Sequence, residues 1–219
     1  MAYSPPSLFG VAYASRLFRE IDDPSSYQEL VSKTLPMLDL GNSSHCAELL
    51  KWLNKWGCRI AEGRFVDLSS RLGEWLPRQE LPSLEDEIAG LGDSGLDQLT
   101  TAYEGLRDCE FGPTGAAKTL FGLRPRCAIP WDEPIRTEFR LPDDGAGYRE
   151  MLKFSRQEAQ GLLMDANRCG IEDITKTVGS PPYVTVAKLL DEYHWITITS
   201  GHHIPSRPEL EVWVSWLPK

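Results

Sequence analysis

The chain has 219 residues, 41% of them hydrophobic, and a formal charge of −9, which is enough for one sizeable core and a single domain, 1–219. Its longest apolar runs, such as Cys127-Ala128-Ile129, fall far short of the ~20 residues that cross a bilayer. The acidic balance works against non-specific attraction to nucleic acid, which comes from Lys and Arg neutralising phosphates. Five scattered cysteines with no CxxC pair argue against a disulfide framework or a zinc knuckle, and Met1-Ala2-Tyr3-Ser4-Pro5-Pro6 carries neither the basic start nor the apolar stretch of a secretory signal. A reduced cytoplasm, a monomer, no membrane partner and no metal or other cofactor are therefore expected.

Apolar residues at Leu30, Val31, Leu35 and Leu38 predict a first helix over 26–38, interrupted by Pro36. The next is clearer: Ser44 as cap, then Cys46, Leu49, Leu50, Leu53 and Trp56 as a buried stripe, with Gly57 where a left-handed C-cap sits. Phe65, Leu68, Leu72, Trp75 and Leu76 repeat the pattern before Pro77. Ser83 with Asp86 is a variant capping arrangement ahead of Leu84, Ile88 and Leu91, and Ser94 opens a helix through Leu96, Leu99, Tyr103 and Leu106. After a turn at 142–145, residues 148–168 predict the longest helix, ended by Gly170, and 184–193 another, with Lys188, Asp191, Glu192 and His194 as its exposed face. Alternation over 195–199 and 212–216 predicts two short strands, a small C-terminal β element on a mainly α fold.

The centre of the chain is the informative part. Residues 83–110 hold eight acids against Arg107 alone, whereas 118–140 hold five basic residues, Lys118, Arg124, Arg126, Arg136 and Arg140, against three acids. A solvated mix of surface charges is the plain alternative. In Glu110-Phe111-Gly112-Pro113-Thr114-Gly115-Ala116-Ala117-Lys118, a turn glycine precedes a proline at a first-turn position, where a missing N–H costs nothing. The helix that begins there must end near Arg124, because Pro125 disfavours a helical residue before it. A short extended link then delivers Asp132 to the mouth of another helix, with Pro134 in its first turn.

Residues 106–140 resemble the helix-hairpin-helix DNA glycosylase superfamily. The second hairpin glycine matches Gly112, the alanine four positions on matches Ala116, the catalytic aspartate Asp132 and the apolar residue three positions later Ile135; the interval of 20 positions from Gly112 to Asp132 fits the family. The resemblance implies a glycosylase-like helical bundle that excises a damaged or modified base flipped out of DNA, as in base-excision repair. Thr114 stands where bifunctional members carry a lysine, which implies a monofunctional enzyme, although Lys118 lies one turn further on. Glu110 replaces the first hairpin glycine and puts a carboxylate where backbone amides approach a phosphate. With the acidity of the chain, that suggests a specialised member aimed at modified phage DNA in antiviral defence.

Releasing a base builds positive charge on the sugar, which a carboxylate beside C1′ stabilises while it orients the attacking water. Asp132 is the candidate for that role, and equally a natural helix N-cap. The resemblance places Gly112, Thr114, Gly115 and Lys118 near the DNA backbone, with Arg124 and Arg126 as phosphate contacts or solvated loop residues. Trp131, Trp52 and Trp56 are candidates for stacking the extruded base, and Trp75 a fourth; the alternative is that these rings are core. His202-His203 lacks a third metal ligand at useful spacing. The rival reading is a non-catalytic helix-hairpin-helix module that binds DNA or protein.

Overall fold

A computed structural model describes residues 3–22, 25–179, 181, 183–206 and 208–209. Among these residues the fold is helical, with α1 Leu8–Ile21, α2 Ser25–Lys33, α3 Ser43–Lys55, α4 Phe65–Trp75, α5 Asp93–Asp108, α6 Pro113–Leu123, α7 Glu133–Phe139, α8 Gly145–Arg168, α9 Ile174–Thr177 and α10 Val186–His194. None of them is long and apolar enough to cross a membrane. All five cysteines are unpaired, and burial pushes the Cys46 and Cys127 thiols up to about 11 and about 12.

Capping chemistry sets most boundaries. Asn42 rather than Ser44 caps α3, accepting from the Ser44 N–H, and Asp144 caps α8 by accepting from Gly147. The stripes predicted for α3 and α4 are buried, including Leu49, Leu50, Leu53, Leu68, Leu72 and Trp75. The first predicted helix is shorter: α2 stops at Lys33, ahead of Pro36. The helix expected from Ser83 does not form. The Ser83 N–H bonds the Asp86 carboxylate at 2.8 Å, the Ile88 N–H is taken by the Arg126 carbonyl at 2.9 Å, and only a 3-10 turn, Ile88–Gly90, remains.

α1 escaped the sequence reading, although Ser7 caps it and Val11, Ala14 and Phe18 line its buried face. It packs on α10 closely enough that a Cβ on Gly10 would sit 3.1 Å from the Tyr193 ring. α10 is enclosed by α1, α8 and α9, so Lys188, Asp191, Glu192 and His194, expected on an exposed face, are all buried. That expectation is corrected by enclosure, which makes the side opposite the apolar stripe interior as well. His194 answers its burial by placing Nε2 3.0 Å from Glu158 Oε2 on α8 and 3.2 Å from the Tyr3 hydroxyl, which itself donates to Glu158. Burial beside that carboxylate raises the Tyr3 pKa.

The predicted strand over 195–199 is also corrected: Trp195–Thr199 continues α10 as a π-helical turn. Ile196 is buried, Thr197 donates back to the Tyr193 carbonyl at 2.7 Å, and the Ser200 N–H reaches the Trp195 carbonyl five residues earlier. Tertiary burial of Ile196 and local hydroxyl bonding override an alternating pattern that has no partner strand among the described residues. The second predicted strand, 212–216, lies outside the described residues.

At Gly147 a Cβ would sit 2.0 Å from the Pro142 carbonyl oxygen, whereas at Gly161, in the same helix, it would meet nothing. Gly147→Ala is therefore expected to destabilise by about 3 kcal/mol despite better helix propensity, and Gly161→Ala to stabilise by about 0.5–1 kcal/mol. Urea unfolding of the two variants measures both signs.

Candidate functional site

The link between α6 and α7 is a buried, tied-down segment. Cys127, Ala128, Ile129 and Trp131 are almost without exposure. The Ile129 carbonyl accepts from the Tyr148 hydroxyl at 3.2 Å, and the Trp131 indole donates to the Pro113 carbonyl at 3.2 Å. Trp131 also stands edge-on to Tyr103 and Tyr148, with centroids 5.8 and 5.3 Å away. These contacts fix the point at which the chain emerges, and the next residue is Asp132.

Asp132 is extended, with φ −124° and ψ 179°, and caps α7. Its Oδ1 accepts from the Ile135 N–H at 3.1 Å, and the Thr199 hydroxyl, from the π-helical turn, lies 3.0 Å from Oδ1 and 2.8 Å from Oδ2. The side chain is half-buried and lines a cleft of about 270 Å³ together with Phe18, Trp56, Lys118, Asp191 and Trp195. Thus α1, the end of α3, α6, the start of α7 and the C-terminal part of α10 all converge on one carboxylate.

The other predicted positions divide by location. Lys118 and Trp56 reach the cleft: the Lys118 ammonium donates to the Trp56 carbonyl at 2.5 Å and lies 5.3 Å from the centre of its ring. Trp131 forms part of the wall but is 1% exposed, so it supports the cleft rather than opening into it. Trp52 is a core residue against Trp56 and Tyr27 and does not line the cleft, and Trp75 is buried with the α4 stripe. Arg124 lies on a different and larger cleft of about 810 Å³, its guanidinium bonded to the Pro82 and Leu123 carbonyls. Arg126 is paired with Glu87 and Glu85.

In the turn between α5 and α6, Gly112 is exposed and a Cβ there would meet nothing within 4 Å. Thr114 is half-buried with Arg136 Nη1 3.5 Å away, and Gly115 is buried against Phe111 and Cys58. Glu110 adopts the left-handed conformation at φ 68°, and its carboxylate is held by Arg64 at 2.5 Å and Arg71 at 3.0 Å. Its charge is thereby paired within the protein. His203 pairs with Glu209, and His202 with Ser200. Among the described residues no cluster of three or more His, Cys, Asp or Glu side chains could hold a metal ion.

No protein-family model, no curated protein and no solved structure matches the chain.

Two contributors were not visible as such in the sequence, Thr199 and Asp191. Thr199 lay in an expected strand, and Asp191 on an expected exposed face. Behind Asp191 the Lys188 ammonium bonds its Oδ2 at 2.7 Å, lies 3.6 Å from Glu192, and sits 4.3 and 4.7 Å from the centres of the Phe18 and Trp56 rings. Burial alone would lower the Lys188 pKa, but the two carboxylates outweigh it and the net direction is upward. This lysine is held as a cation and is no free nucleophile. The i, i+3 and i, i+4 spacing could have shown the pairing, though not its depth.

Burial pushes the Glu192 pKa up, against the attraction of Lys188, and its Oε2 has no hydrogen-bond partner. A folded-state value above the unfolded one, about 4.3, means that the group's stabilising contribution is complete below about pH 4 and is lost as pH rises through the folded value. Glu192→Gln is neutral throughout and escapes that loss. The variant is expected to gain on the order of 1 kcal/mol over the parent at pH 8, with the gain shrinking towards pH 4, as read by urea denaturation at both pH values.

Proposed function

We propose that the chain is a monofunctional DNA glycosylase that hydrolyses the bond between a base and its deoxyribose. The observation that carries this reading is the placement of Asp132: a carboxylate at a helix start, held by two protein donors, on a cleft with aromatic walls and an ammonium group. The order of parts, α5, a four-residue turn ending at Gly112, α6, a buried link and then the aspartate, accords with the resemblance to helix-hairpin-helix glycosylases.

In this mechanism the C1′–N bond lengthens and its electron pair leaves with the base, which takes up a proton. Asp132 offsets the positive charge that grows on the sugar, and water adds to C1′ while giving up a proton towards the carboxylate. The products are a free base and an abasic site. Hydrolysis is favoured over a Schiff-base route because the amines at and behind the cleft are engaged: Lys188 is ion-paired and buried, Lys118 donates to the Trp56 carbonyl and Lys55 is paired with Glu29. The exposed Gly112 leaves the α5–α6 turn open to a phosphate, while Glu110 is neutralised by Arg64 and Arg71.

One observation favours the rival reading, a non-catalytic DNA- or protein-binding module: both Asp132 oxygens already accept hydrogen bonds, as those of a structural cap would. Asp132→Asn separates the two, because asparagine caps helices as well as aspartate does but carries no charge. On duplexes containing assorted modified bases, scored by alkali cleavage at the abasic product, it is expected to lose about 10²–10³-fold in single-turnover rate. Thr199→Val is expected to lose about 10-fold, and Thr199→Ser to recover most of it. Full activity in Asp132→Asn would refute the catalytic role of this residue, and a wild-type protein that releases no base from any duplex would leave the binding module.

A further inference from the structure

The donors and acceptors that face the Asp132 cleft are unequal. The Lys118 ammonium is tethered to the Trp56 carbonyl, and the Lys55 ammonium, at the partly solvated rim, is bonded to Glu29 Oε2 at 2.7 Å. Each ammonium thus already has a protein acceptor. Asp191 is different. It is 7% exposed, its Oδ2 is fixed by Lys188, and its other oxygen has no hydrogen bond to the protein among the described residues, while the residue lines the cleft. A buried, immobile acceptor thus faces the space beside Asp132, flanked by the rings of Phe18, Trp56 and Trp195. At about 270 Å³ the cleft sits just below the range of about 300–1,000 Å³ that houses drug-sized ligands, so it suits one ring system rather than a whole nucleoside.

We propose that this cleft selects a flat heteroaromatic base that presents N–H donors or a positive charge to Asp191, and discriminates against one that presents a carbonyl oxygen there. The inference rests on reading the cleft as the base pocket. An exocyclic amine, as on adenine or cytosine derivatives, completes the open valence of the Asp191 carboxylate. A ring-alkylated purine, cationic while still attached to the sugar, is drawn by the same charge and by the aromatic walls. A carbonyl edge sets two acceptors against each other with no water between them, which is the kind of mismatch that a site built for hydrogen bonding rejects strongly. Lys188 makes this possible by holding Oδ2, which fixes the orientation of the carboxylate.

The test compares wild-type protein on duplexes that carry adenine in a mismatch, 5-methylcytosine or an N-alkylated purine with duplexes that carry uracil or hypoxanthine. Quenching of tryptophan emission by free adenine, cytosine, uracil and hypoxanthine runs in parallel. Release of at least one base of the first group at least about 10-fold faster than either of the second is expected. Asp191→Asn, whose amide can turn its oxygen to Lys188 and its NH₂ to the cleft, is expected to shrink or invert that ratio. Uracil or hypoxanthine released as fast as the best of the first group would overturn the selectivity while leaving the glycosylase reading intact. If no duplex loses a base, the glycosylase reading fails and the free-base titration decides: tighter binding of adenine and cytosine supports the acceptor cleft, and equal binding or none overturns it. The wild-type ranking decides the matter even if Asp191→Asn does not fold.

Discussion

A helix buried along its whole length from Ala187 to His194 has to keep a lysine, two carboxylates and an imidazole away from water. Moving an unpaired ion to such a place costs several kcal/mol even after the protein relaxes. α10 meets that cost with partners at fixed positions: Lys188 with Asp191 and Glu192 on the helix itself, and His194 with Glu158 on α8 and Tyr3 near the chain start. Breaking one of the two close pairs, Lys188–Asp191 or His194–Glu158, from one side costs about 3–5 kcal/mol, so these two define where α10 sits. The aromatic faces of Phe18 and Trp56 close over the lysine and tie α1 and α3 into the same arrangement.

The candidate site follows from that anchoring. His194 is the last residue of α10, and the π-helical turn begins at the next one. In an α-helix successive side chains are about 100° apart, so widening one turn by a residue redirects everything beyond it. The redirected hydroxyl is Thr199, which meets the Asp132 carboxylate at 2.8–3.0 Å. Asp132 arrives by an independent route, the buried link packed against Tyr103 and Tyr148. Two separate supports, the α6–α7 link and the end of α10, therefore hold a single hydrogen-bonded contact, and Asp132 lines the cleft from that fixed position.

What the sequence made legible was whatever depends on short range. The stripes of α3 and α4, the proline at the start of α6, the stop before Pro125, the cap at Asp132 and the long helix ending near Gly170 all rest on contacts within a few residues, and they are found as expected. Failures occurred where distant parts of the chain decide. The Ser83 and Asp86 pair bonds locally, but the Arg126 carbonyl takes the next free donor and turns a helix start into a turn. The face of α10 that carries Lys188 and Asp191 is polar in sequence and interior in space, because α1 and α8 cover it. The candidate site was legible at Asp132, Trp56 and Lys118, each read from the central segment or a helix stripe, whereas Asp191 and Thr199 belong to it only through packing.

Capping and catalysis are often set against each other for an aspartate at a helix start, and here the geometry lets them coexist. A carboxylate offers about four lone-pair sites. The Ile135 N–H uses one on Oδ1, and the single proton of Thr199 is shared between Oδ1 and Oδ2. At least one site on Oδ2 is left for a substrate or a water. The two protein donors do not neutralise the charge; they remove the rotational freedom of the group, which would otherwise have to be lost when the substrate is bound. The bonds that make Asp132 look like a cap are thus the same bonds that would make it effective beside a sugar, and only the loss of its charge with the cap retained can tell the two roles apart.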